Sequence, residues 1–281
     1  MTVAGRGMKP GMQLGGERMD EALVLRIAAA AGVPEPTAAQ RASGWSLAGE
    51  VWRVRAPGQE YALRLYADGH EVSMQAESAI LRATQECGLP VPGVRAAGTH
   101  EGRAYLLTDW CTGETVLEAL SRLPQAAELL GRSFGRAHAD VHRIQVPAGL
   151  RQAGAAGDRL LHLDFHLLNV LTDGRSVTAI LDWENARAGD PREDVARTVS
   201  VIQIHAPQMA GGGAGRLALR SFLHGYFDGY RDLGGWALEG MAPYYAWAGE
   251  FAVRDLAPKA GGTILRRAER WARWWRHRAR A

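Results

Sequence analysis

The chain has 281 residues, 47% of them hydrophobic and 22% charged, which is a globular composition long enough for one large domain or two lobes and excludes disorder as its main state. Its 33 basic residues, all arginine except Lys9 and Lys259, stand against 30 acidic ones for a net charge of +3, too even a balance to imply a nucleic-acid partner. Cys87 and Cys111 make neither a disulfide framework nor a metal site and suit a reducing cytoplasm, and apolar stretches broken by Arg26 and Pro34 fall short of the ~20 residues that cross a bilayer.

Residues 1–18, glycine-rich and without an apolar signal core, read as a flexible tail. From Met19 to Ala31 the residues Ala22, Leu23, Ile27 and Ala30 recur at helical spacing, and Gly32 with Pro34 stops the run. Residues 49–54 and 61–66 read as strands joined by the turn Ala56-Pro57-Gly58-Gln59. Val72, Ala76, Ile80, Ala83 and Cys87 mark one face of a helix over 71–87, ended by Gly88 and Pro90. Strands over 94–97 and 103–110 flank a turn at 99–102, and Thr112-Gly113 breaks the chain.

From there the pattern turns helical, with Leu129, Phe134, Ala137, Val141 and Ile144 striping residues 124–144. A small hairpin follows, its strands at 170–172 and 177–181 around Asp173-Gly174-Arg175. Beyond Arg192 the chain reads helical except for a glycine-rich stretch at 209–215, and Ile264, Ala268, Trp271 and Trp275 predict a last helix docked through tryptophan. Sheet with one helix, then a break, then helices around a hairpin, predicts an α+β protein of two lobes, divided near residue 110, with a ligand cleft between them.

The densest chemistry lies in His162-Leu163-Asp164-Phe165-His166-Leu167-Leu168-Asn169, followed after an apolar strand by Asp182-Trp183-Glu184. Moving a phosphoryl group from ATP to a hydroxyl requires a carboxylate to take the hydroxyl proton and oxygen ligands that hold magnesium against the phosphates. Asp164 suits the first task and Asn169 with Asp182 the second, because a loop returning through a hairpin brings all three to one end of it.

This arrangement resembles the aminoglycoside phosphotransferase and choline kinase-like family, relatives of the protein kinases. His162-x-Asp164-x-His166-x-x-Asn169 is similar to its catalytic loop, Ile180-Leu181-Asp182-Trp183-Glu184 to its magnesium-binding segment, and Gly189-Asp190-Pro191 with Asp194-Val195-Ala196 to the stretch that follows. The resemblance covers roughly Ser43 to Arg197. It implies a two-lobed protein-kinase-like fold, with an antiparallel-sheet N-lobe over 19–110 and a mainly helical C-lobe over 111–281. It also implies ATP and Mg2+ as cosubstrate and cofactor and a hydroxyl-bearing small molecule as acceptor, such as an aminoglycoside, macrolide, amino-alcohol or sugar-like compound. Arg64 stands where the family places a strand lysine on the nucleotide phosphates, and arginine keeps the charge while changing the geometry. Glu77 matches the helix glutamate that pairs with that cation. Gly49 belongs to the phosphate-covering segment 43–51, and backbone near Asp109 and Cys111 to the adenine-binding hinge. Glu184 is a second candidate magnesium ligand.

Other readings stand beside this one. His162 reads as structural, bonding backbone near the magnesium segment. His162, Asp164 and His166 also have the makings of a zinc cluster, which leaves Asn169 without a task. His138 and His142, four apart on a helix, read as packing or surface histidines. Asp190 and Asp194 read as acids capping the next helix, with Asp190 also a candidate substrate contact. Trp247 and Glu250 are further acceptor candidates, the acids Asp228, Asp232 and Asp255 offering walls for a polycation. Arginine at position 64 leaves open a non-catalytic, pseudokinase-like binding module. The sequence implies no nucleic-acid or membrane partner and a monomer or homodimer.

Overall fold

A computed structural model describes residues 21–42, 49–146, 151, 157–209, 212–232, 238–256 and 262–280; the tail over 1–18 and the segment 43–48 lie outside them. Helix α1 (Glu21–Ala30) precedes strands β1 (Ala38–Arg41), β2 (Gly49–Ala56) and β3 (Gln59–Tyr66), helix α2 (Glu71–Glu86), and strands β4 (Val94–His100) and β5 (Arg103–Asp109). These five strands form one antiparallel sheet in the order β1-β2-β3-β5-β4. The predicted hairpins are present; β1 was invisible because only Ala39 of its four residues is buried, which leaves no alternation to read.

Alternation along β3 decides which side chains reach the site. Leu63 and Leu65 pack with Val24, Ile27 and Ala28 of α1 on one face, whereas Arg64 and Tyr66 turn to the other, toward α2. The stripe expected on α2 is displaced: Val72 is 76% exposed and Ala76 and Cys87 are exposed, while Met74, Glu77, Ser78, Ile80, Leu81 and Thr84 are buried. Hydrophobic counting misplaces this face because the face itself must carry a buried acid and two hydroxyls.

The remainder is mostly helical. Strand β6 (Glu114–Thr115) runs into α3 (Val116–Arg122), which Thr115 and Glu118 start with a reciprocal capping box. A 3-10 turn at Pro124–Ala126 leads into α4 (Ala127–Arg143). Leu130 is buried on α4 and the expected Leu129 is 53% exposed. Strands β7 (Arg159–Leu161), β8 (Val170–Thr172), β9 (Val177–Ile180) and β10 (Arg187–Gly189) pair as β10-β7 and β6-β8-β9. Helices α5 (Pro191–Met209), α6 (Gly212–Asp232), α7 (Ala242–Leu256) and α8 (Gly262–Arg278) follow. Helix α8 docks as expected, with Ala268 and Ala272 buried, Trp275 against Tyr245 at 4.4 Å between ring centroids and Trp271 Nε1 donating to Tyr245 O at 3.2 Å. Among the described residues no helix is long and apolar enough to cross a membrane.

Helices α4 and α6 meet backbone to backbone. A Cβ on Gly131 or Gly135 would lie 2.1 or 2.0 Å from the carbonyl oxygens of Phe222 and Tyr226. Reciprocally, a Cβ on Gly225 or Gly229 would lie 2.1 or 2.0 Å from those of Glu128 and Arg132. Four missing side chains therefore set the helix spacing. Around it Phe134, Phe222 and Trp183 share one continuous core with Met74, Leu81 and Leu106 from the sheet side.

Candidate active site

Arg64, 7% exposed, is the centre of a charged cluster. Its Nη1 donates to Glu77 Oε1 and Oε2 at 2.8 and 3.0 Å and to Asp182 Oδ1 at 3.1 Å, and its Nη2 to Glu184 Oε2 at 2.5 Å. The Tyr66 hydroxyl donates to Glu77 Oε2 at 2.6 Å. Burial pushes the Glu77 carboxyl up from its ordinary value, with Arg64 and Tyr66 opposing. Among the described residues three carboxylates thus surround the Arg64 guanidinium, an excess of negative oxygen that suits a hard divalent cation.

Between β7 and β8 the loop turns on Leu163, whose φ of 61° lies in the left-handed region, and Asp182 matches it at 62°. Two non-glycine residues held this way mark backbone strain of the order of 1–3 kcal/mol each, sustained by the surrounding contacts. Asn169 Nδ2 donates to Asp164 Oδ2 at 3.0 Å and to Asp164 O at 3.1 Å, and Asn169 O accepts from Leu181 N at 2.8 Å. Asp164, Asn169 and Asp182 are thereby tied through adjoining loops, as their spacing predicted. With its amide nitrogen committed, Asn169 presents its amide oxygen as the remaining donor atom. Burial works to raise the Asp164 carboxyl, but His166, His162 and Arg197 outweigh it and hold the group below its ordinary value, so it is an ionised acceptor at neutral pH.

His162 is fully buried and serves the backbone. Its Nδ1 accepts from Asp164 N at 3.2 Å, which leaves the proton on Nε2 to donate to Leu181 O at 3.0 Å. Burial lowers its proton affinity, consistent with a neutral ring. The structural reading of this histidine therefore holds.

Asp194 departs from its expected capping role. At 0% exposure its Oδ2 accepts from His162 N at 2.5 Å and its Oδ1 from Leu163 N at 2.9 Å, so the acid holds the loop that begins at His162 instead of the first turn of α5. His142 Nε2 lies 3.2 Å from Asp194 Oδ2 while its Nδ1 meets Tyr230 OH at 2.7 Å; His138 Nε2 also lies 3.2 Å from Asp194 Oδ2, and its Nδ1 meets Tyr226 OH at 3.0 Å. Burial opposes the charge on Asp194, yet the two histidines hold it well below its ordinary value. Burial also lowers His138 to about 4. Asp190 does cap α5, its Oδ1 accepting from Arg192 N at 2.9 Å.

Comparison with known proteins agrees with this geometry. The family model described as "Phosphotransferase enzyme family" matches residues 37–157 and 150–244. The chain belongs to the phosphotransferase enzyme family. No curated protein sequence matches it. Among solved structures, a Ralstonia eutropha protein designated an aminoglycoside phosphotransferase is 18% identical at a TM-score of 0.64, covering 92% of this chain and 96% of that one. Spectinomycin phosphotransferase, solved with ADP and spectinomycin, is 12% identical at a TM-score of 0.61, covering 92% and 95%. An ethanolamine kinase of Plasmodium vivax is 10% identical at a TM-score of 0.53, covering 84% and 82%. At these identities the likeness establishes the fold, a protein-kinase-like one, as the motifs implied.

The other residues singled out in this phosphotransferase lie as follows. Gly49 opens β2, where a Cβ would stand 2.0 Å from Leu65 O, so strand pairing alone demands glycine there. Asp109 N donates to Gly93 O at 2.9 Å, and its carboxylate pairs with Arg95 at 2.6 Å beside an open recess of about 540 Å3 that Gln59 and Trp110 also line. Cys111 is half-buried, its thiol pushed up by burial and by Asp109. A second cavity of about 210 Å3 is lined by Asp164, His166, Arg197, His205 and Asp255 among apolar side chains of α3, α5 and α7. Its lining does not include Asp190, Trp247 or Glu250. Asp190 is engaged with Arg192 and with the Tyr244 hydroxyl at 2.8 Å, Trp247 packs beside Phe251, and Glu250 pairs with Arg276 at 2.7 Å. Asp228 and Asp232, expected as acidic walls, face Arg132 and Arg136 on α4. Sequence reading passed over Arg197, although Arg197, Val201 and His205 recur at helical spacing on α5 and Ala252, Asp255 and Leu256 do so on α7.

Proposed function

We propose that the chain transfers the terminal phosphoryl group of ATP to a hydroxyl of a small molecule. The observation that carries this reading is the joining of Asp164 and Asn169 to Asp182, Glu184, Arg64 and Glu77 at one place, from six positions spread over more than a hundred residues. In the reaction the acceptor oxygen bonds to the γ-phosphorus, the bond from that phosphorus to the ADP oxygen breaks, and the acceptor proton passes to the Asp164 carboxylate. Glu77 fixes the Arg64 guanidinium, whose donors suit nucleotide phosphates. Asn169, Asp182 and Glu184 offer the oxygen donors that would hold Mg2+, and the carboxylate excess around Arg64 fits that cation. When bound, the ion neutralises phosphate charge. Gly49 and the backbone near Asp109 and Cys111 complete the nucleotide cleft between lobes over 19–110 and 111–281, and the reaction belongs in the ATP-containing cytoplasm.

Thermal unfolding with ATP and GTP, each with and without Mg2+, tests the reading. A ligand at 100-fold its Kd stabilises the folded state by about 2.7 kcal/mol. The expected result is a magnesium-dependent rise in Tm for the wild type that Asp182→Asn loses, together with ADP formation on adding an acceptor. Absence of a rise with either nucleotide would overturn it and favour a binding module without nucleotide chemistry.

A further inference from the structure

Arg197 is 8% exposed and lines the same cavity as Asp164. Among the described residues its guanidinium makes no hydrogen bond and no ion pair; its one close partner is the Phe251 ring, whose centroid lies 4.0 Å from Cζ. Asp164, Asp255 and Asp194 act on it only through space, and burial lowers its proton affinity against them. Arginine stays charged in proteins, so a largely buried guanidinium without an oxygen partner gains from a ligand that provides one. The other arginines that the site uses are held by carboxylates: Arg64 meets three and Arg192 is chelated by Asp190. Arg197 has no such carboxylate, and its planar fork, which faces the cavity, matches two oxygens of a carboxylate or a phosphate.

We propose that the acceptor is a small hydroxylated compound carrying an anionic oxygen group, its hydroxyl directed to Asp164 and its carboxylate or phosphate held by Arg197. This rests on the phosphotransferase reading above and narrows it. A cavity of about 210 Å3 is below the ~300 Å3 at which pockets for larger ligands begin, so the acceptor is compact. A polycation would place its ammonium groups against Arg197, and of the acids expected to receive it Asp228, Asp232 and Glu250 are engaged by arginines elsewhere, while Asp255 lines the cavity beside Arg197. The stacking of Arg197 on Phe251 holds the guanidinium before any ligand arrives, which lowers the ordering cost of binding.

The test uses the full chain with Mg-ATP and three matched sets of hydroxylated compounds: anionic (glycerate, glycerol phosphate), neutral (glycerol) and cationic (ethanolamine, choline, an aminoglycoside). ADP release and calorimetric binding are read for each. The expected outcome is kcat/KM at least tenfold higher for an anionic member than for the neutral and cationic sets, with glycerate against glycerol phosphate separating carboxylate from phosphate recognition. Arg197→Gln is expected to raise the acceptor KM tenfold or more with little change in kcat, Arg197→Lys to restore part of it, and both to keep the Tm rise with Mg-ATP. A preference for neutral or cationic compounds, no response to any anionic member, or an unchanged KM in Arg197→Gln would each overturn the proposal. Loss of the Mg-ATP response in the wild type would instead strike the phosphotransferase reading itself.

Discussion

Two clusters of ionisable groups flank the loop over residues 162–169, and they are built on opposite plans. Around Arg64 the carboxylates outnumber the guanidinium, and Asp182 and Glu184 keep about a quarter to a third of their side-chain surface exposed. Around Asp194 everything is buried: one carboxylate receives two backbone N–H groups and faces two histidines, each backed by a tyrosine hydroxyl. The first cluster is left with unsatisfied charge, which is what a site for cationic and phosphate ligands requires. The second is closed off from solvent and holds the loop through the two N–H groups on Asp194. The two are distinguished by whether the charges balance, not by how many polar groups are present.

The largest effect is expected from breaking the balanced cluster. Asp194→Ala strands the His162 and Leu163 N–H groups and should cost about 3–5 kcal/mol of unfolding free energy in chemical denaturation. Acid should act on the same cluster. His138 is lowered to about 4 in the folded chain from an ordinary 6.5, so the folded state binds its proton later than the unfolded one. Its contribution is full above pH 6.5 and falls as pH drops toward 4, by about 3 kcal/mol in total, and His138→Gln should flatten that part of the stability profile. Tyr230→Phe removes one buried hydrogen bond to His142 and should cost about 1 kcal/mol. Smallest of all, Asp182→Asn should change stability by less than about 1 kcal/mol, because Arg64 keeps Glu77 and Glu184, while removing the Mg-ATP response. A large loss of stability in Asp182→Asn would erase the contrast between the clusters.

What the sequence disclosed follows the same division. Asp164, Asn169 and Asp182 were legible because one loop and one hairpin fix their separation, and Arg64 because its strand resembles the family segment that carries a lysine at that position. The Asp194 cluster was not, since its hydrogen bonds join residues 31 to 88 positions apart and its histidines share a helix with ordinary core residues. On α2 the buried acid Glu77 defeated hydrophobic counting, and strands of two to four residues, such as β1, β6, β7 and β10, are too short for any period to show. On the helices beyond Arg192 the sequence picked out Asp255, which lines the second cavity, together with residues that do not. Aromatic and acidic residues on α7 advertise a binding surface, but Trp247 is spent on packing and Glu250 on Arg276, so the cavity falls to Ala252, Asp255 and Leu256 at the end of α7 and to Arg197 and His205 on α5.

The four glycines between α4 and α6 reach further than packing. His138 and His142 can touch Tyr226 and Tyr230 only because the two helix backbones are already in contact one turn earlier. Part of the position of the loop over residues 162–169 is thus encoded in atoms that were never there. A mutational scan that weighs positions by their chemistry would pass over Gly131, Gly135, Gly225 and Gly229, yet a single methyl group at any of them wedges the helices apart and reaches the loop without altering a reactive residue.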